Sequence, residues 1–139
     1  MEYTVHIMGK ITEECVQIRQ EVFVEEQGFI DEFDDTDKSA FHAIVYDGKK
    51  AIATGRVFAG SETIYHIGRV AVLKEYRGKH AGEAVMAAME QKAKMLGAEM
   101  ITLSAQCQAS GFYKKIGYTE TDDFHLDQHC PHVTMTKIL

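Results

Sequence analysis

A basic, glycine-containing turn at residues 77–82 (RGKHAG) follows an apolar segment and precedes an amphipathic helix. At such a position the first backbone N–H groups of the helix have no partner within it, and glycines let a ligand approach the backbone closely. Phosphate groups bind well there, because these N–H groups act together with the positive end of the helix. Short motifs of this kind are common, so a strand-to-helix loop with a solvated basic edge is the alternative.

An acidic segment spans residues 25–37, where seven acidic residues and no basic one occur. The rest of the chain is nearly balanced, and the net charge is -6. A nucleic-acid partner is therefore not expected, since phosphate backbones need a basic face. The acidic segment is either a solvated loop that keeps the protein soluble or a feature that steers a cationic small molecule.

The length and composition predict one domain over residues 1–139, with 45% hydrophobic residues for a single core. No apolar run approaches the roughly 20 residues of a membrane span, and no signal-peptide core is visible, so we expect a soluble, cytoplasmic protein without a membrane partner. Cys15, Cys107 and Cys130 are an odd number without CxxC spacing. Reduced thiols are expected, with neither a disulfide framework nor a structural zinc site.

The hydrophobic pattern predicts strands and helices in a mixed order. Alternating or continuous apolar residues predict strands at 3–8, 41–46, 51–58, 64–73, 100–103 and 133–138. Helical spacing predicts helices at 13–27, 81–96 and 108–115. Asp47 and Gly48 predict a hairpin turn, and Gly68 inside a long strand suggests a bulge. A hairpin-rich first half and a β-α-β second half predict a mixed sheet with helices packed on it.

Two motifs resemble the GNAT superfamily of N-acetyltransferases. The acetyl-CoA pyrophosphate loop of that family reads Gln or Arg, two residues, Gly, one residue, then Gly or Ala; Arg77 matches the first position, Gly82 matches the last, and His80 replaces the middle glycine. The family's Asn, Ala, Tyr, Gly, Phe spacing resembles Gln106, Ala109, Tyr113, Gly117 and Tyr118. The stretch 19–27 (RQEVFVEEQ), with His42, Gly55, Arg56 and residues 67–70 (IGRV), further resembles the bacterial ElaA-like subgroup.

The resemblance covers essentially the whole chain and implies an α/β (α+β) fold, with a GNAT-like mixed, mostly antiparallel central sheet of about six to seven strands and helices on both faces. It implies direct transfer of an acetyl group from acetyl-CoA to a primary amine, without a metal. The acceptor would be a small molecule or a peptide and could be cationic, and a homodimer would be consistent with the family. A catalytically silent acyl-CoA-binding module is the alternative, and a nucleotide-binding protein that uses the same turn is a third.

The resemblance also implies roles for individual residues. Tyr113 matches the general acid that protonates the departing CoA thiolate. Backbone N–H groups of the preceding strand would polarise the thioester carbonyl. The residues expected to bind acetyl-CoA are Val70, Ala71 and Val72 in this strand, Arg77, Gly78, Lys79, His80, Ala81, Gly82 and Glu83 around the turn, and Gln106.

A general base is also expected, because the attacking amine must be neutral. The candidates are Glu26, His42, His66 and His132, or a water chain held by Ser104 and Gln106, and the spacing does not choose among them.

An acetyl-cysteine intermediate on Cys107 is disfavoured, because no activating partner is visible in the sequence. His125, His129, Cys130 and His132 match no metal-ligand spacing. This interpretation places these four residues in a loop before the last strand, with a contribution to the acceptor pocket.

Overall fold

The computed structural model describes residues 2–139, which form one seven-stranded sheet in the order β1-β2-β3-β4-β5-β7-β6. All neighbouring strands are antiparallel except β4 and β5, which are parallel. The strands are β1 (Thr4–Met8), β2 (Phe41–Asp47), β3 (Lys50–Ala59), β4 (Ile64–Val72), β5 (Met100–Gln106), β6 (Thr119–Asp127) and β7 (Cys130–Ile138). The predicted mixed, mostly antiparallel sheet is confirmed.

Three helices pack on this sheet: α1 (Glu13–Arg19), α2 (Ala81–Met95) and α3 (Ser110–Lys115). Thr12 caps α1 by accepting a hydrogen bond from the Cys15 backbone N–H, and the helix continues through Gln20–Glu26 as wider π-helical turns. Short 3-10 turns occupy Asp35–Lys38, Lys74–Tyr76 and Cys107–Ala109. No helix within residues 2–139 is long and apolar enough to cross a membrane.

Two separate clusters of buried side chains hold the helices to the sheet. The larger one joins Val85 and Met89 of α2 to Ile101 of β5 and Val133 of β7. The smaller one joins Ile18 of α1 to residues that include Phe29 and Ala71. Because side chains alternate along a strand, the helices cover opposite faces of the sheet, as the resemblance to the GNAT superfamily implies.

Strand β6 corrects the prediction of a loop before the last strand. His125 lies on β6 opposite His132 of β7, Cys130 begins β7, and His129 lies in the turn between the strands. The prediction was wrong because β6 is a polar edge strand, in which even Phe124 and Leu126 are exposed, so it lacks the apolar alternation of a half-buried strand. No cluster of three potential metal ligands occurs among the described residues.

The parallel strands β4 and β5 separate about halfway along their length. They pair from Ile64 with Met100 to Ile67 with Leu103, and β4 then continues to Val72 without pairing to β5. On the other side of β4 the register shifts, since Arg56 of β3 pairs with Gly68 whereas Thr54 pairs with Ala71. This is the bulge that Gly68 suggested, and it bends β4 away from β5.

A buried ion network attaches the acidic segment to α1 and to the sheet. Arg19 of α1 contacts Glu32 at 3.0 Å and Asp37 at 2.7 Å, and Arg56 of β3 contacts Asp37 at 2.8 Å. These four side chains are at most 7% exposed. The interpretation of the acidic segment as a solvated loop is therefore wrong for Glu32 and Asp37, which lie inside the protein.

Burial and ion pairing act in opposite directions on these carboxyl groups. Burial would raise the pKa of Asp37, but the hydrogen bonds from Arg19 and Arg56 outweigh it and lower the pKa from 3.8 to about 2. For Glu32 burial dominates and raises the pKa. Asp37 is therefore ionised at neutral pH and supplies negative charge to the two buried arginines.

We predict that Asp37→Asn lowers the free energy of unfolding by about 3 kcal/mol, because it leaves buried guanidinium groups without a charge partner. The unfolded chain takes up a proton at this carboxyl before the folded protein does, so its contribution is present above about pH 4 and is lost as the pH falls through about 2. Urea denaturation at several pH values measures both effects. Asp35→Asn is the control, since that side chain is 99% exposed, and equal stability of the two variants would contradict the prediction.

Candidate active site

A cleft of about 650 Å³ lies where β4 and β5 separate. One wall is the edge of β4 that has lost its partner strand, and the other includes Leu103, Ser104 and Gln106 of β5. The cleft extends to the turn before α2, to Phe112 and Tyr113 of α3, and to the acidic segment. The split sheet thus provides a channel with free backbone groups along one side.

The predicted acetyl-CoA residues are brought together at this cleft. Val70, Ala71 and Val72 line it along β4, Gln106 lines it on β5, and Arg77, Gly78, His80, Ala81, Gly82 and Glu83 line its end. Lys79 does not line it: its carbonyl accepts a hydrogen bond from Tyr3 Oη at 2.8 Å, and its ammonium lies 5.7 Å from the Tyr76 ring centroid. Lys79 is therefore the one predicted acetyl-CoA residue that does not line the cleft.

The turn at residues 77–82 relies on two left-handed residues. Gly78 has φ +75° and His80 has φ +67°, immediately before the first residue of α2. This conformation suits glycine and is strained for histidine. The imidazole of His80 is exposed, and its Nδ1 lies 2.6 Å from Glu83 Oε2. His80 therefore adopts a left-handed backbone conformation that glycine takes without strain.

Gly82 serves packing at this turn. A Cβ atom at Gly82 would lie 3.0 Å from the Phe112 ring, which is tighter than an ordinary contact. The absence of a side chain therefore lets the first turn of α2 approach α3, where Phe112 and Tyr113 are neighbours with ring centroids 5.0 Å apart.

Arg77 links the turn to the end of the α1 extension. Its two terminal nitrogens contact the Glu26 carboxylate at 2.6 and 2.7 Å, and its Nε donates to the Val72 carbonyl at 3.1 Å. The hydrogen bond to Arg77 lowers the pKa of Glu26, which makes this candidate a weak base. Glu26 also does not line the cleft.

Tyr113 projects from α3 into the cleft. It is half-buried between Phe112 and Tyr118, and burial raises the pKa of its phenol to about 12. The phenol is therefore protonated at neutral pH, as a general acid must be before it donates.

The histidine candidates for the base differ in their surroundings. His42 is buried, donates from Nε2 to the Asp37 carbonyl at 2.9 Å and does not line the cleft. His66 lines the cleft and stacks on Phe58, and burial lowers its pKa. His132 also lines the cleft, and its Nδ1 donates to the Cys130 carbonyl at 2.9 Å, which leaves Nε2 as an acceptor. Cys107 does not line the cleft.

Several polar residues of the cleft were missed by sequence reasoning, among them Gln27 and Arg69. Gln27 accepts a hydrogen bond from Gln106 Nε2 at 2.7 Å, so it bridges the α1 extension and β5. Arg69 occupies the bulge of β4 with φ 52° and contacts Glu32 at 2.9 Å and Asp34 at 3.3 Å. Both lie in stretches that resemble the ElaA-like subgroup, so the signal was present although no role was assigned to either residue.

Similarity to known proteins extends over nearly the whole chain. The profile of the Acetyltransferase (GNAT) domain matches residues 9–139. A Bacillus subtilis (strain 168) protein classed as an acetyltransferase is 38% identical over 142 residues, covering 92% of this chain and 93% of its own length. The matched residues thus include nearly all of the helices and strands and the whole cleft.

Solved structures share the fold. The crystal structure of a Lactobacillus plantarum protein classed as an N-acetyltransferase superposes with a TM-score of 0.89 at 28% identity, covering 100% of this chain and 99% of the other. The crystal structure of Escherichia coli ElaA superposes with a TM-score of 0.86 at 20% identity, covering 98% of this chain and 99% of the other. A GNAT family acetyltransferase from Elizabethkingia anophelis, solved with acetyl-CoA bound, superposes with a TM-score of 0.76 at 13% identity, covering 99% of this chain and 98% of the other. With its profile match, its relatives and its split sheet, this chain belongs to the GNAT acetyltransferase family.

Proposed function

We propose that this protein transfers an acetyl group from acetyl-CoA directly to a primary amine. The observation that carries the proposal is the separation of β4 and β5 beyond Ile67 and Leu103, with the α2 turn at one end of the gap and Tyr113 in its wall. Membership of the GNAT family supports acyl transfer in general, and the amine acceptor is the finer step of the proposal.

The turn and the strand edge suit the two chemically different parts of acetyl-CoA. Backbone N–H groups at the start of α2, with the positive helix end, favour the pyrophosphate. Backbone groups of residues 70–72 lie on the edge of β4 that has lost its partner strand and can hydrogen-bond the amides of the pantetheine arm, apart from the Val72 carbonyl, which accepts from Arg77 Nε. An N–H there would stabilise the charge that develops on the thioester oxygen. The guanidinium of Arg77 uses three of its five N–H donors on Val72 and Glu26, and the other two can contact phosphate.

Tyr113 would supply the proton that the CoA sulfur needs as the carbon–sulfur bond breaks. Its phenol is protonated at neutral pH because burial raises its pKa to about 12. Direct attack by the amine is preferred to an acetyl-cysteine, since Cys107 does not line the cleft.

The acceptor side of the cleft is less acidic than the sequence suggests. Of the seven acidic residues in the segment, Glu32, Asp34 and Asp37 are paired with Arg19, Arg56 and Arg69. Asp31 is exposed and lines the cleft, as does Asp127 of β6. A cationic small molecule or a peptide N-terminus would therefore meet these two carboxylates rather than a continuous negative surface.

We predict that Tyr113→Phe lowers kcat about 100-fold and leaves the affinity for acetyl-CoA within about twofold, because the ring is retained and only the proton donor is removed. Release of free thiol from acetyl-CoA is measured with spermidine, kanamycin, lysine and a short peptide as acceptors. Tyr46→Phe is the matched control, since its hydroxyl bonds to Glu14 outside the cleft.

Unchanged turnover in Tyr113→Phe would contradict the role of Tyr113. Binding of acetyl-CoA by the wild-type protein without transfer to any acceptor would favour the silent acyl-CoA-binding module. Tighter binding of ATP than of CoA would favour the nucleotide-binding alternative.

We predict that His80→Gly raises the free energy of unfolding by about 1 kcal/mol, because glycine adopts φ +67° without the steric cost that histidine bears. Affinity for CoA should stay within about threefold, since the turn keeps its backbone path. His80→Ala is the control: it removes the imidazole and its contact with Glu83 but keeps Cβ. Urea denaturation and calorimetric titration with CoA measure the two quantities, and a His80→Gly variant no more stable than His80→Ala would refute the strain.

A further inference from the structure

Ser104 occupies a special position in the cleft. It is the first residue of β5 beyond the last pair with β4, so its side chain lies where the two strands begin to separate. Its neighbours Leu103 and Ala105 are buried in the cluster beneath α2, so Ser104 points to the opposite face of the sheet. Ser104 is exposed and lines the cleft.

The hydroxyl of Ser104 contacts a histidine on β6. Ser104 Oγ lies 2.8 Å from His125 Nε2. The other ring nitrogen, Nδ1, lies 3.3 Å from the Asp123 carbonyl oxygen and 3.6 Å from Asp123 Oδ1. Because acceptors surround Nδ1, that nitrogen holds the proton of the neutral ring, and Nε2 accepts from the Ser104 hydroxyl.

Neighbouring strands hold this pair in place. Thr134 of β7 donates its hydroxyl to Asp123 Oδ2 at 2.7 Å, and the His132 ring lies nearly parallel to that of His125, with centroids 6.0 Å apart. The titratable groups around the imidazole are thus Asp123 on its own strand and His132 on β7, while β5 contributes Ser104.

We infer that Ser104 and His125 form a proton relay that receives the proton of the acceptor amine, an inference that rests on the proposed acetyl transfer. As the amine nitrogen bonds to the carbonyl carbon of the thioester, Ser104 Oγ takes a proton from that nitrogen and passes its own to His125 Nε2. The carbon–sulfur bond breaks, and the sulfur takes the proton of Tyr113 Oη. His125, whose side chain is 34% exposed, then releases its proton to water, and the Tyr113 phenolate regains one from water.

The relay assigns different roles to its two members. Ser104 touches the reacting nitrogen and is the catalytic residue, whereas His125 acts only through Ser104. His125 must be neutral to receive a proton, so activity requires a deprotonated imidazole. Removal of either member should break the same path, so the two losses should not add.

The experiment measures kcat and KM of Ser104→Ala, His125→Gln and the double variant by release of free thiol from acetyl-CoA, with the four acceptors named above and with water alone. Each single variant should lose about 100-fold in kcat, the KM for acetyl-CoA should stay within about twofold, and the double variant should lose no more than either single one. Ser104→Thr, which retains a hydroxyl, should keep kcat within about fivefold. His6→Gln is the control, an exposed histidine on β1 outside the cleft.

The pH profile separates a relay from a structural role. His125→Gln should lose the decline of kcat at acid pH that depends on an imidazole, whereas a variant that is merely misfolded would lower the whole curve without changing its shape. Equal kcat for Ser104→Ala and the wild type, additive losses in the double variant, or an acid limb that survives in His125→Gln would each overturn the relay while leaving acetyl transfer intact. A wild-type protein that releases no thiol with any acceptor would overturn the proposed function itself, and the relay with it.

Discussion

The separation of β4 from β5 is the constraint on which the rest of this structure depends. A parallel pair in the middle of a sheet would normally be sealed along its length by backbone hydrogen bonds, and here the extra residue at Arg69 and Val70 ends the pairing at Ile67 and Leu103. The backbone groups beyond that point need new partners. Under the proposed function the amide groups of acetyl-CoA would be those partners, so the defect in the sheet is also its cleft.

The buried arginines explain how a bent strand can remain fixed in place. Arg56 and Arg69 extend from β3 and β4 on either side of the bulge, and both contact the carboxylates of residues 32–37. Arg19 joins the same carboxylates to α1. Three positive and three negative side chains therefore pair on one side of the cleft. Their ion pairs hold this wall of the cleft in place and leave little net charge there.

The local patterns of the sequence predicted much of the fold, and most of the residues proposed for acetyl-CoA line the cleft. The hairpin at Asp47 and Gly48, the periodicity of α2 and the bulge near Gly68 each depend on residues adjacent in sequence, and the structure confirms them. Partnerships between distant residues could not be predicted in this way. Nothing in residues 25–37 indicates that their charges pair with Arg19, Arg56 and Arg69. Strand β6 lacks apolar alternation, so it was not predicted as a strand, and the contact of its His125 with Ser104 could not be predicted either.

The close contact between Gly82 and Phe112 links two motifs that are about thirty residues apart. Because the first turn of α2 packs on the residue next to Tyr113, the distance between the turn at residues 77–82 and the phenol depends on one glycine and one ring. A side chain at position 82 would require the Phe112 ring to move by a few tenths of an ångström, or a smaller residue at position 112. The effects of substitutions at these two positions are therefore expected to depend on each other.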